Sequence, residues 1–233
     1  GLDLPGEKAG LVPSNEWKKA VIGAPWQQGE TLLAGIGQGY VLTTPLQLAV
    51  MTARLVNGGV AVTPQLTRET VENDTLVPRE NKNPENIGIV PGHLSLVRNA
   101  MDTVVNQPGG TAFRSRIKEP EFRMGGKTGT AQVRRISKQE RENRVLKNEE
   151  LPWKERDHAL FVGYAPIDAP RYAIAVIVEH GGGGSKVAAP IARDVLEEAQ
   201  RRNVARPGEE QSVEQPLESK IIPLTSDTQE ENG

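Results

Sequence analysis

The chain has 233 residues with 36% apolar content, enough for one substantial core and short for two. Its 28 basic and 30 acidic side chains leave a formal net charge of -2, so no overall field draws it to nucleic acid or to an anionic membrane. The absence of cysteine removes disulfides, thiolate zinc sites and cysteine nucleophiles together.

The opening "GLDLPGEKAG" has neither a methionine nor a signal peptide and reads as the interior of a protein, which predicts a fragment of a longer one. Residues 1–30 are rich in Gly and Pro. They predict irregular structure wrapped on a core, anchored by Val12, Trp17 and Trp26. Next comes the clearest helix punctuation in the chain: Thr44 as N-cap, Pro45 at the first helical position, Gln47 completing a capping box, and Asn57-Gly58-Gly59 as the stop. Leu46, Ala49, Val50, Ala53 and Val56 recur at helical spacing and Leu48, Met51 and Leu55 cover a second face, which predicts a mostly buried helix.

Residues 60–90 begin with the β-prone "GVAVTPQLT" and continue as the polar "ENDTLVPRENKNPENIG", a predicted surface loop. Leu94, Val97, Met101, Val104 and Val105 predict a second helix from Pro91 to Asn106, closed by "NQPGG", with a short third helix from Thr111. After Lys127 the periodicity changes. "GKTGTAQVRRI" predicts a strand, and "HALFVGYAP" with "RYAIAVIVEH" a hairpin turning at Pro166 to Pro170. The intervening stretch from Arg134 to Asp157 carries both charge signs densely and predicts a solvated excursion.

Gly181 to Gly184 predict a turn into an amphipathic helix, "AAPIARDVLEEAQRR", with Ala192, Val195, Leu196 and Ala199 inward. From Arg206 onward the apolar content is too low to pack, so residues 206–233 predict a disordered tail after a folded unit of residues 1–205. The run "YAIAVIV", Tyr172 to Val178, is far short of the roughly 20 residues a bilayer span needs.

The chemistry concentrates in "MGGKTGTAQV", Met124 to Val133. A phosphate loop needs a Gly six residues before its Lys and a helix straight after it; here Glu121 holds that position and a strand follows. The alternative puts Lys127, Thr128, Gly129 and Thr130 on an edge strand whose free N–H and C=O groups pair with an extended peptide. Gly129 then permits close approach, Lys127 supplies positive charge, the hydroxyls of Thr128 and Thr130 bind a carboxylate, and the Thr130 N–H donates to an oxyanion. Strand alternation separates Lys127 from the two threonines, so one shared site requires a twist or bulge. For the tetrapeptide taken alone, an ordinary exposed strand remains open.

K-T-G is one of three motifs of penicillin-binding proteins and class A β-lactamases, beside S-x-x-K and S-D-N. Together with "GLDLPGE", "GIGQGYVLTTPLQLA", "DHALFVGYAP" and "VEHGGGGSKVAAPIARDV", in that order, the sequence resembles the C-terminal part of the transpeptidase domain in the penicillin-binding protein 2 family, over about residues 1–203. These are class B peptidoglycan D,D-transpeptidases of cell elongation. The resemblance implies an α/β domain of the α+β type, the penicillin-binding/β-lactamase-like transpeptidase fold, present in part, with three of the family's five antiparallel strands covered by helices. It implies serine acyl transfer on peptidoglycan stem peptides at the periplasmic side of the inner membrane, inhibition by β-lactam antibiotics, no cofactor, no metal and no nucleic acid. The implied partners are a membrane glycosyltransferase and the missing N-terminal part of the same protein.

By position, Lys127, Thr128, Gly129 and Thr130 match the third motif, with Lys127 as the catalytic-site lysine, and no other catalytic residue carries over. The chain's S-x-x-K, Ser115 to Lys118, lies just before the third motif instead of far upstream, and no S-x-N occurs. The nucleophile is therefore expected upstream of Gly1. A β-lactamase-like hydrolase or a non-enzymatic β-lactam sensor of the same fold are the alternative readings; Glu80 near Asn83 faintly resembles a hydrolase base pair in a loose loop. His93, His158 and His180 read as isolated structural residues without metal-helix spacing. Gly35 to Gly39, "GIGQG", is no dinucleotide fingerprint, and shaping the approach to the site is one reading left open for it.

Overall fold

The computed structural model describes residues 5–67, 69–72, 75–78, 85–134 and 136–202. The expected tail, and with it Glu80 and Asn83, lies outside the described residues. The helices are α1 (Asn15–Val21), α2 (Gln28–Gly35), α3 (Pro45–Val56), α4 (Pro91–Asn106), α5 (Lys138–Asn143) and α6 (Ala188–Arg202). The strands are β1 (Glu69–Glu72), β2 (Thr75–Pro78), β3 (Gly125–Ala131), β4 (His158–Ala165) and β5 (Tyr172–Val178). An antiparallel sheet runs in the order β3-β4-β5, and β1 and β2 form a separate hairpin.

Side-chain alternation along β4 explains how the layers assemble. Ala159, Phe161 and Ala165 point to one face, where Ala188, Ala189, Ala192 and Leu196 of α6 close over them with Met124, Ile117 and Val105. Tyr164 points to the other face and joins Val56 of α3 and Met101 of α4 in a second cluster. Phe161, Met124 and Leu196 are nearly fully buried, each contributing about 1.5–3 kcal/mol over an exposed position. Gln200, also buried, donates its side-chain amide to the carbonyls of Phe122 and Leu196, fixing the end of α6 to the turn that precedes β3.

The expected boundaries of α3 and α4 are those observed. Thr44 and Gln47 form the capping box, and Pro45 and Pro91 open their helices. Burial of α3 is lower than expected: Thr52 and Val56 are buried and Met51 is exposed, because α3 packs against β4 and β5 on one side only. On α6, Val195 faces solvent and Gln200 takes the inward place, one turn on from Leu196.

The largest departures lie where turn residues outweighed short helical patterns. Residues 1–30 contain α1 and the start of α2, capped by Ser14 and by a Gln27–Glu30 box. The anchor there is the buried Lys18, whose ammonium reaches both Glu30 carboxylate oxygens at 2.6 Å and the Pro25 carbonyl at 2.8 Å, while Val12 is 88% exposed. Residues expected as loop hold the β1–β2 hairpin, while "GVAVTPQLT" contributes one bridge, Val60 to Asn86. The helix expected from Thr111 is a single 3-10 turn, Phe113–Ser115. The charged excursion contains α5, with Arg134 paired to Glu140 and Arg144 to Glu150.

Candidate functional site

β3 occupies one edge of the sheet, and its pairing with β4 is uninterrupted from Gly125–Tyr164 to Ala131–His158. In an antiparallel ladder alternate residues turn both their N–H and C=O toward the partner strand. The register and the bonds outside it fix the parity: Met124, Thr128 and Thr130 carry their carbonyls outward, because side-chain donors reach all three. Asn106 Nδ2 donates to Met124 O at 2.9 Å, Lys127 Nζ to Thr128 O at 2.6 Å, and Gln38 Nε2 to Thr130 O at 3.0 Å. The Thr130 N–H points to the same open side.

The strand therefore does not bulge to bring Lys127 to the threonines. The lysine stem bends round the edge of a regular strand and lays its ammonium on the carbonyl of the next residue, with the side chain still exposed. The two hydroxyls differ. Thr128 Oγ1 shares a hydrogen bond with Thr111 Oγ1 at 2.9 Å, while Thr130 is exposed. The edge thus presents a cation, an exposed hydroxyl and an outward N–H between Lys127 and Thr130, a set suited to a carboxylate beside a carbonyl that gains negative charge.

Glycines permit the close packing behind this edge. A Cβ on Gly125 would lie 2.6 Å from the Tyr164 ring, and one on Gly126 would meet the Phe161 ring. Gly184, just before α6, sits against the ladder itself: a Cβ there would be 2.5 Å from Gly129 O and closer still to Leu160 O. The glycine run after β5 does turn the chain into α6, as expected, and it also braces the segment that carries Gly129.

Gln38 reaches Thr130 from a rigid platform. Gly37 and Gly39 have φ values of 72° and 74°. Gly37 N–H bonds Ala34 O and Gln38 N–H bonds Leu33 O, a Schellman closure of α2 in which glycine takes the left-handed position. The "GIGQG" segment thus stands at the strand edge, where the sequence suggested an approach to the site. Its glutamine, Asn106, Thr111 and Gly184 were not foreseen individually. The two glycines flanking Gln38 were the available signal for the first; the others carry none in the sequence.

Ser115 does not take part. It is buried in the turn Phe113–Ser115, while Lys118 is exposed beyond it. His93 stands apart, but His158 and His180 are not isolated: their rings lie 4.7 Å apart, the His180 N–H donates to His158 Nδ1, and Trp153 packs edge-on against His180. Among the described residues no group of three potential ligands could hold a metal ion, and no helix is long and apolar enough to cross a membrane.

An antiparallel sheet under helices, with a K-T-G-T edge backed by glycines, is the architecture of acyl-transfer domains that bind penicillin. The family model for the penicillin binding protein transpeptidase domain matches residues 1–197, and the chain belongs to that family. Among its relatives, the peptidoglycan D,D-transpeptidase MrdA of Haemophilus influenzae is 39% identical over 199 residues, 84% of this chain and 30% of that protein. MrdA of Escherichia coli K12 is 37% identical over 188 residues, 80% of this chain and 29% of that protein. Among solved structures, Pseudomonas aeruginosa PBP2 in complex with WCK 5153 superimposes with a TM-score of 0.67 at 38% identity, covering 84% of this chain and 39% of that one. The Helicobacter pylori PBP2–MreC complex gives 0.69 at 29% identity, with 87% and 33% covered. The chain spans about 30% of the length of the curated relatives it matches.

Proposed function

We propose that this chain carries the donor-binding edge of a peptidoglycan D,D-transpeptidase. The observation that carries the reading is the regular, outward-facing edge of β3, on which Lys127, Thr128, Gly129 and Thr130 gather the groups an extended acyl donor requires. Lys127 and the Thr130 hydroxyl hold the terminal carboxylate of a D-Ala-D-Ala stem peptide, and the Thr130 N–H stabilises the oxyanion on the penultimate carbonyl. A serine supplied by residues outside this sequence attacks that carbonyl, the amide C–N bond breaks, and D-Ala leaves with the serine proton on its nitrogen. An amine of a neighbouring stem then attacks the ester carbonyl, the ester C–O bond breaks, and the amine forms the cross-link as one of its own protons passes to the serine oxygen.

Exposed apolar side chains on the N-terminal segments support the assignment of further domain around this chain. Val12, Leu32, Ile36 and Leu42 are between 60% and 88% exposed. Side chains of that size so placed fit a surface covered by the rest of the transpeptidase domain. The activity is placed at the periplasmic side of the inner membrane during elongation, beside a membrane glycosyltransferase, and the relative solved with MreC supports a multiprotein setting.

Labelling with a fluorescent penicillin tests the reading. The intact protein should form a stable adduct, residues 1–233 alone should form none, and co-expression with the upstream part of the gene should restore a label that maps to the upstream piece. An adduct on Ser115 or any other residue of this chain would overturn it.

A further inference from the structure

The contact between Gln38 and Thr130 places a side-chain donor on an atom the proposed donor peptide also needs. A peptide added along β3 can pair with the residues whose groups face outward, Thr128 and Thr130 among them. Its N–H at the second register would be directed to Thr130 O, which the Gln38 amide occupies at 3.0 Å. The two donors compete for one carbonyl.

The contact is not needed to hold either partner in place. The Gln38 backbone is fixed by the α2 closure through Leu33 O and Ala34 O, and Thr130 is fixed by the ladder opposite Ala159. The distinctive consequence of the side-chain bond is occupancy of the acceptor. It is also a neutral bond at an exposed site, so that its exchange for another costs little.

We propose that Gln38 is a ligand-displaced latch on the Thr130 carbonyl, and that it sets selectivity between ligands that carry an amide N–H at that register and ligands that do not. This rests on the reading of β3 as the ligand-binding edge. An amide-bearing ligand must first expel the Gln38 amide, whereas a ligand without the N–H leaves it in place. Removing the latch therefore favours the first class alone.

The test measures acylation rate constants of the intact protein with benzylpenicillin, which carries an exocyclic amide N–H, and with a carbapenem bearing a hydroxyalkyl group in its place. Gln38→Met keeps the stem and loses the donor; Gln38→Ala loses both and serves as a second variant. Each should accelerate benzylpenicillin about twofold to tenfold, the range of one exchanged hydrogen bond, and leave the carbapenem within about twofold. No change with either ligand, or an equal change in both, would overturn the latch; an equal loss would make Gln38 a general support of the strand. Lys127→Ala, measured in parallel, separates the two levels. If it is slow with both ligands while the Gln38 variants are flat, the latch alone fails. If it acylates normally, the binding edge fails and takes the latch with it.

Discussion

Gly184 offers the sharpest test of how the edge strand is braced. An alanine there would put its Cβ 2.5 Å from Gly129 O, nearer to Leu160 O, and 3.1 Å from Gly129 N. These are backbone atoms of one ladder pair, so no rotamer change relieves the overlap, and the α6 entry must move away from the sheet by about 1 Å to reach ordinary contact. Overpacking of this kind costs about 1–3 kcal/mol, and the rigidity of both obstructing carbonyls places Gly184→Ala at about 3 kcal/mol. Its neighbour supplies the control. Gly183 has nothing within 4 Å of a Cβ and no positive φ, so Gly183→Ala should stay within about 0.5 kcal/mol. Chemical denaturation of the intact protein, followed through the transition of this domain, measures both, and β-lactam acylation of folded protein reports whether Gly129 and Thr130 have shifted. Equal stabilities for the two variants would refute the argument that the glycine run is pressed against the ladder.

Lys127→Ala should slow β-lactam acylation of the intact protein at least tenfold, about 1.4 kcal/mol, and unchanged kinetics in a folded variant would remove the central assignment. Thr130→Val keeps the shape and loses the exposed hydroxyl. It should impair a penicillin acid more than the matching ester, and equal losses would count against a carboxylate role. The Arg134 guanidinium beside Glu140 holds that carboxyl down at about 2 from its usual 4.5. Because the folded pKa is depressed, the pairing's contribution to stability is fully present above about pH 4.5 and is lost as pH falls through about 2. The carboxyl 13C resonance of Glu140 should titrate near 2, and its midpoint should return toward 4.5 in Arg134→Gln; an unmoved midpoint would show that another group sets it.

Long, strongly capped elements were legible in the sequence. Thr44, Pro45 and Gln47 for α3, and Pro91 for α4, act within one turn, so local chemistry suffices to place the ends. The β4–β5 hairpin was equally readable, because both strands are apolar enough to be buried whatever surrounds them. The short helices α1 and α2 were not, since they are tied to one another by the Lys18–Glu30 pair, which links positions twelve apart. The β1–β2 hairpin was hidden by a polar composition that also suits a loop. At the site, the strand and its motif were legible, but its geometry was not. Period-two alternation correctly separates Lys127 from Thr128 and Thr130; a flexible four-carbon stem, which no periodicity describes, brings the ammonium back to the edge. Gln38 lies 92 residues from its partner, beyond any local rule.

The caps on Met124, Thr128 and Thr130 also decide what the β3 edge will refuse. A bare edge strand is a template for pairing with any extended chain, including another copy of the same protein. Here a strand arriving with ordinary amides exchanges its own hydrogen bonds for those of Asn106, Lys127 and Gln38, and gains nothing net from carbonyls that were already satisfied. A ligand ending in a carboxylate differs, because the ammonium it frees from Thr128 O becomes its own charge-assisted partner. The caps thus lower what polypeptide at large can gain from the edge's carbonyls and leave it responsive to a chain terminus, a filter imposed by what each newcomer offers Lys127 in return.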